Sequence, residues 1–206
     1  MGVPVLVIGE SGSGKSASLR DFNPGEIGII NVAGKRLPFK KKLPTLNTSN
    51  YDAIKNALSS SHCKTFVIDD SQYLMAFEQI EKAKEPGYAK YTDMGLHFND
   101  LIQFIIKCLP DDKIVYFLHH PDVDQMTGAI RAKTVGKMID NWLTLEGLFS
   151  IVLYCWTDGR QHKFIVQSDG HTTAKSPMEM FDGDIDNDLK LVDKKIREYY
   201  EMEESK

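Results

Sequence analysis

Short apolar runs separated by amphipathic stretches set the rhythm of this chain. Val3–Ile8 is apolar throughout and short enough to be a buried strand. The runs Ile27–Val32, Lys64–Asp69 and Lys113–His119 have the same character and predict three more strands. Between them the apolar positions recur at helical spacing. Tyr51–Ser59, Leu74–Lys82 and Leu96–Leu109 are predicted as helices. Asn50 is placed to cap the first, and Leu101, Phe104, Ile105 and Cys108 share a face of the third. Gly14–Arg20 predicts a short helix that Asn23-Pro24-Gly25 ends. Met138–Leu145 predicts another. Ser150–Trp156 and Lys163–Gln167 predict a hairpin around Asp158-Gly159. In Asn187–Met202, the residues Leu189, Val192, Ile196, Tyr199 and Tyr200 mark a final helix with Asp186 and Asp188 at its positive end.

Strands alternating with helices imply right-handed crossovers and a mostly parallel sheet covered on both faces. The late hairpin adds antiparallel strands at one end. Neither repeats nor linkers interrupt the pattern, so residues 1–206 read as one α/β domain. Two polar stretches, Glu81–Met94 and Pro121–Val135, are longer than ordinary connections and are candidate functional loops. Lys35–Leu43 is a third loop, basic and punctuated by prolines.

Composition narrows the class. The chain has 206 residues, 42% apolar and 26% charged, with a net charge of −4. A globally basic nucleic-acid binder is thereby disfavoured, and any DNA contact has to be local. Cys63, Cys108 and Cys155 are far apart, odd in number and without a C-x-x-C spacing, which gives no support to a zinc site or a disulfide framework. They read as buried, inert, reduced thiols. The first apolar run lacks a basic leader, and no run is long enough to cross a bilayer. A cytoplasmic protein with no membrane partner is the expectation.

Chemistry first shows itself at GESGSGKS, immediately after the first strand. The stretch matches the P-loop pattern in full and has the strand–turn–helix setting that pattern needs. Glycines let backbone N–H groups turn around an anion, Lys15 supplies a charge for the β- and γ-phosphates, and the Ser16 hydroxyl suits Mg²⁺. Gly9, Glu10, Ser11, Gly12, Ser13, Gly14, Lys15, Ser16 and Ala17 are the candidate nucleotide-binding residues. Phe66–Asp69 is an apolar strand ending in an acid, as a Walker B requires, and assigns Asp69 to the Mg²⁺ shell. The next residue, Asp70, either orients or deprotonates an attacking water or is a helix-capping loop acid. GTPase signatures are missing: Asp70-Ser71-Gln72-Tyr73 is not D-x-x-G, and no N-K-x-D occurs. The five arginines do not cluster as in the lid of a nucleotide kinase. ATP with Mg²⁺ is the expected ligand pair.

The order of these parts resembles the RecA-like recombinase core. The stretches INVAGKRLPF (30–39), KTVGKMID (133–140) and DGHTTAKSPMEMFDG (169–183) are similar to phage-encoded RecA-like ATP-binding proteins, the Sak-type single-strand annealing family. The resemblance covers nearly the whole chain. It implies an ATP-dependent annealing or recombination factor that works on single-stranded DNA as a homo-oligomer, often beside a single-strand-binding protein. It also places His119 or His120 at the γ-phosphate sensor position, although either could instead cap a strand end beside Pro121. Lys175 falls where a cation reaches the neighbouring subunit, with Arg131 and Lys133 as competitors. One departure concerns hydrolysis. The family's catalytic acid near the end of the second strand is replaced here by Asn31-Val32-Ala33-Gly34, so Asp70 substitutes or hydrolysis is slow.

Two loops are candidate DNA contacts. The first carries Lys82, Lys84, Tyr88, Lys90 and Tyr91, and the second carries Arg131 and Lys133, with Lys137 just beyond. Lysines interleaved with tyrosines suit backbone neutralisation and base stacking, although Glu81, Glu85 and Asp93 offset the charge. Lys35-Arg36 to Lys40-Lys41-Lys42 is a second basic path. Two functions remain open: a DNA-dependent ATPase, or an ATP-gated interaction and loading protein with little turnover.

Overall fold

The computed structural model describes residues 1–135 and 144–202. Ten strands and four α-helices follow one another through them. The strands are β1 (Val3–Ile8), β2 (Ile27–Asn31), β3 (Thr45–Asn47), β4 (Thr65–Asp69), β5 (Ile114–His119), β6 (Pro121–Val123), β7 (Ile130–Ala132), β8 (Ile151–Thr157), β9 (His162–Ile165) and β10 (Ile185–Asp186). The helices are α1 (Tyr51–Ser60), α2 (Tyr73–Glu81), α3 (Ala89–Cys108) and α4 (Leu189–Tyr199). One sheet runs in the order β10-β9-β8-β1-β5-β4-β2-β3. Its six strands from β8 to β3 are parallel, while β9 is antiparallel to both β8 and β10. The architecture is α/β with a mostly parallel sheet and an antiparallel hairpin at one end, compatible with a Rossmann-like core.

Both faces of the sheet are buried, which is why its strands read as unbroken apolar runs rather than alternating ones. Leu6 and Ile8 of β1 face a layer containing Phe66, Ile68, Val115 and Phe117, covered by α1, α2 and α3. Val5 and Val7 face the opposite layer with Val67, Tyr116, Leu118 and Leu153, covered by α4. On α4, Leu189, Val192 and Ile196 are fully buried, each worth about 1.5–3 kcal/mol. Its N-terminus is capped by Asp188, whose carboxylate accepts from the backbone N–H groups of Lys190 and Leu191. Asn50 caps α1 by accepting from the Ala53 N–H, as its sequence position implies.

Several elements differ from the sequence expectation, each for a local reason. The helix expected over Gly14–Arg20 is a four-residue 3-10 turn, Ser16–Leu19. Gly14 has φ 103°, and the Ser18 hydroxyl bonds the Lys15 carbonyl, in competition with α-helical pairing. The polar stretch 81–94 is mostly not a loop, because α3 starts at Ala89. Its first two turns carry only Met94 as a buried apolar residue, so the helical period is faint there. The second polar stretch folds as the β6–β7 hairpin, with its turn built on the Asp124 carboxylate, which accepts from the Met126 and Thr127 N–H groups. Strands β3 and β10 are too short, three and two residues, to register as apolar runs. Cys155 is buried, but Cys63 is only partly so and Cys108 is exposed; all three are free thiols. The helix expected over Met138–Leu145 lies almost wholly outside the described residues, as does Lys137.

Candidate functional site

The sheet grows to one side of β1 through β5, β4 and β2, and to the other through β8. A crevice therefore opens beyond the C-terminal end of β1, the place where ligands bind in open α/β sheets. The Gly9–Ser16 loop occupies it. Its first residue is tied to β5 by a hydrogen bond from the Gly9 N–H to the His119 carbonyl, 3.1 Å. Packing forbids any larger residue there. A Cβ on Gly9 would lie 2.6 Å from Ser13 Oγ and 2.9 Å from the Cys155 backbone oxygen. Gly12 and Gly14 both have positive φ, 83° and 103°, which glycine alone adopts without penalty.

A brace holds the loop from behind. The Ser13 carbonyl accepts from Cys155 Sγ at 3.2 Å and from His162 Nδ1 at 2.7 Å. Asn187 Nδ2 donates to Cys155 Sγ, and Arg20 Nη1 donates to the Asn187 carbonyl at 2.6 Å. None of these supports is visible in the motif, since Cys155, His162 and Asn187 come from β8, β9 and the approach to α4.

At the far end of the loop, Ser16 Oγ donates to Asp69 Oδ1 at 2.9 Å. Lys15 is 6% exposed, and its ammonium donates to the carbonyls of Gly9 and Glu10. Burial lowers its pKa, against the pull of Cys155, Asp70, Asp69 and Glu10. Burial likewise raises the pKa of Asp69, although the Ser16 hydrogen bond and Lys15 oppose it. Ser13 Oγ is buried without a hydrogen-bond partner. The remaining loop residues, Glu10, Ser11 and Gly12, face solvent, and Ala17 lies in the 3-10 turn.

These residues fit a nucleotide phosphate chain carrying Mg²⁺. A glycine cradle, a buried ammonium, an orphaned hydroxyl and a Ser–Asp pair are the donor set such a group needs. Lys15 would hold phosphate oxygens; Ser16 and Asp69 would hold the metal. Among the described residues no cluster of three or more His, Cys, Asp or Glu side chains could bind a metal unaided. Mg²⁺ commonly takes one or two carboxylates and completes its shell with waters and phosphate oxygens. When bound, it would neutralise charge on those oxygens.

Asp70 stands beside this pair in the left-handed region, φ 60°, a conformation costly for a residue other than glycine. Its carboxylate accepts from Lys35 Nζ at 2.8 Å and pairs with His120 Nε2 at 3.2 Å. Burial alone would raise its pKa, but the hydrogen bonds from His120 and Lys35 outweigh burial and hold it at about 2. So stable an anion is a weak proton acceptor at neutral pH.

The two histidines have different surroundings. His119 is fully buried, with Nδ1 on the Ser71 hydroxyl at 2.8 Å and Nε2 on the Lys133 carbonyl at 2.7 Å. A carbonyl only accepts, so the network assigns the proton to Nε2. Burial lowers the pKa of this ring to about 4. His120 is half-buried; its backbone N–H donates to Gln72 Oε1 at 2.7 Å and its ring contacts Asp70. Ser71 and Gln72, which fix both histidines, directly follow the acid pair, a position from which they could have been suspected.

The remaining candidates sit farther out. Lys175 pairs through its backbone with Val152 of β8, in both directions at 2.8 Å. The same segment reaches the β6–β7 hairpin through Ile130 and Thr172, which links Lys175 to the element carrying Arg131. Lys133 N–H donates to the His120 carbonyl at 2.9 Å, so the base of this hairpin is fastened to the histidine pair. Helix α3 runs against the strands. Its end packs beside Gly2, and Phe98 meets His119 with ring centroids 6.0 Å apart. Residues 89–97 and the preceding loop therefore extend past the strand ends, on the side of the Gly9–Ser16 loop. Lys82 is bound to Glu78, and Lys90 to the carbonyls of Lys82 and Glu85. Lys84 and Tyr88 are exposed, with Tyr91 beside Tyr88 at 6.4 Å.

No protein-family model matches the chain, and no curated protein matches it. No helix among the described residues is long and apolar enough to cross a membrane.

Proposed function

We propose that this chain is an ATP-binding protein of the RecA-like P-loop kind, acting on single-stranded DNA in recombination or annealing as a homo-oligomer in the cytoplasm. The observation that carries the nucleotide reading is the Ser16–Asp69 hydrogen bond. It joins the motif serine to the strand-end acid, the two side chains that a P-loop protein uses together on Mg²⁺. The DNA reading rests on the resemblance and draws support from exposed Tyr88 beside Tyr91 on the strand-end side of the sheet. His120, on the Asp70 side, has the freer ring for sensing a terminal phosphate, since both nitrogens of His119 have protein partners.

A second reading is favoured by one observation: the Asp70 carboxylate is already paired with Lys35 and His120. With that acid a weak base, ATP would act mainly as an assembly ligand for a loader that engages partners such as a single-strand-binding protein. ATPase measured with and without single-stranded DNA separates the two. Stimulated turnover supports the annealing ATPase. Tight binding with negligible turnover supports the loader, and no binding of ATP rejects both.

A further inference from the structure

Lys35 reads in sequence as part of a basic path for DNA, but the fold puts it elsewhere. It follows β2, three strands from β1 in the order β1-β5-β4-β2, roughly 14 Å at the usual strand spacing. Its side chain reaches only to the end of the adjacent strand β4, to Asp70 Oδ2 at 2.8 Å. Asp70 adjoins Asp69, which holds Ser16 of the phosphate loop. The anionic pair Asp69–Asp70 is thus flanked by two ammonium groups, Lys15 from β1 and Lys35 from β2.

The root of the Lys35 arm is fixed and its tip is not. Asn31 Nδ2 donates to the Lys35 carbonyl at 2.6 Å, and Gly34, at φ 68°, makes the turn. The side chain is 62% exposed, and its ammonium lies 5.1 Å from the centre of the Tyr73 ring. Only the lysine end of this ion pair is open to solvent, since the Asp70 side chain is 12% exposed. A terminal phosphate carries about −1.5 to −2 charge at neutral pH, more than a single carboxylate already shared with a histidine.

We propose that Lys35, beside His120, makes this site distinguish a nucleoside triphosphate from a diphosphate, parked on Asp70 until a terminal phosphate draws it away. The proposal rests on the ATP-binding reading above. Lys15 and the glycine loop serve the phosphate chain of either nucleotide; Lys35 is a second ammonium, held beside Asp69 by Asp70, that the added charge of a terminal phosphate would attract. It also supplies a cation near the second-strand end, where the acid expected of a RecA-like core is missing.

Calorimetric titration of the wild type, Lys35→Gln and Lys35→Arg with Mg²⁺–ADP and a non-hydrolysable Mg²⁺–ATP analogue tests this. Lys35→Gln is expected to weaken the analogue about tenfold and ADP less than about twofold, with Lys35→Arg keeping most of the preference. Equal losses for both nucleotides overturn the proposal. So does unchanged nucleotide binding accompanied by weaker single-stranded DNA binding, which would return Lys35 to the basic path. A wild type that binds neither nucleotide is a different failure and rejects the ATP reading itself.

Discussion

The hydroxyl of Ser16 donates to Oδ1 of Asp69 at 2.9 Å, across 53 residues of chain. One is in the turn after β1 and the other is the last residue of β4, two strands away in the sheet. The proposal that the pair shares Mg²⁺ has a direct consequence. Asp69→Ala and Ser16→Ala should each weaken ATP-analogue binding about tenfold or more with Mg²⁺ present, and much less in excess chelator. Titrations in both conditions check it; equal affinities for wild type and variants in Mg²⁺ would remove the metal from this pair.

Gly9 is enclosed by Ser13 and Cys155, so Gly9→Ala has nowhere to put a methyl group. Backbone and side chain would have to shift, at about 1–3 kcal/mol. Urea unfolding should show that loss. Gly12→Ala meets no atom within 4 Å and should suffer only from its positive φ.

His119 links stability to pH. Its folded pKa is about 4, lowered from 6.5 by burial. The neutral ring is therefore the folded form, and stability is fully present above about pH 6.5. As pH falls from there to about 4, the unfolded chain binds a proton that the folded chain refuses, and on the order of 3 kcal/mol is lost. Urea unfolding at pH 7 and pH 4.5 measures it, and His119→Gln should flatten that part of the profile. Asp70, held at about 2, acts in a separate window: its contribution is present above about pH 4 and is lost below that.

Helix α4 carries a buried ion pair. Arg197 Nε donates to Asp193 Oδ2 at 2.7 Å, and Oδ1 accepts from Thr65 and Tyr116, both at 3.1 Å. Asp193→Ala would strand the Arg197 charge and should cost about 3–5 kcal/mol in chemical denaturation. Asp193→Leu with Arg197→Met should recover part of that loss, because no buried charge is left.

Tyr88 is 74% exposed beside Tyr91. If bases stack there, Tyr88→Ala should cost about 1–3 kcal/mol in single-stranded DNA affinity. Wild-type affinity should fall linearly with the logarithm of salt concentration. Fluorescence anisotropy at several salt concentrations reads both, and a flat response rejects the DNA contact.

Local pattern was enough to determine the longer strands of the sheet, the cap at Asn50, the acids at the start of α4, and the candidate loop at Gly9–Ser16. Each depends on neighbours in sequence: apolar content, helical period, or glycines at set spacing. The extent of α3 and the β6–β7 hairpin were hidden because the residues that form them are polar, and their burial or pairing comes from elsewhere. Only the tertiary structure decided the partners of Asp70, His119 and Lys35. Those partners come from the ends of β2, β4, β5 and β7, and sheet order rather than chain order brings them together. The same holds for Cys155, His162 and Asn187 behind the loop. A motif specifies groups that act within one turn of backbone, whereas the charges that tune them arrive through packing.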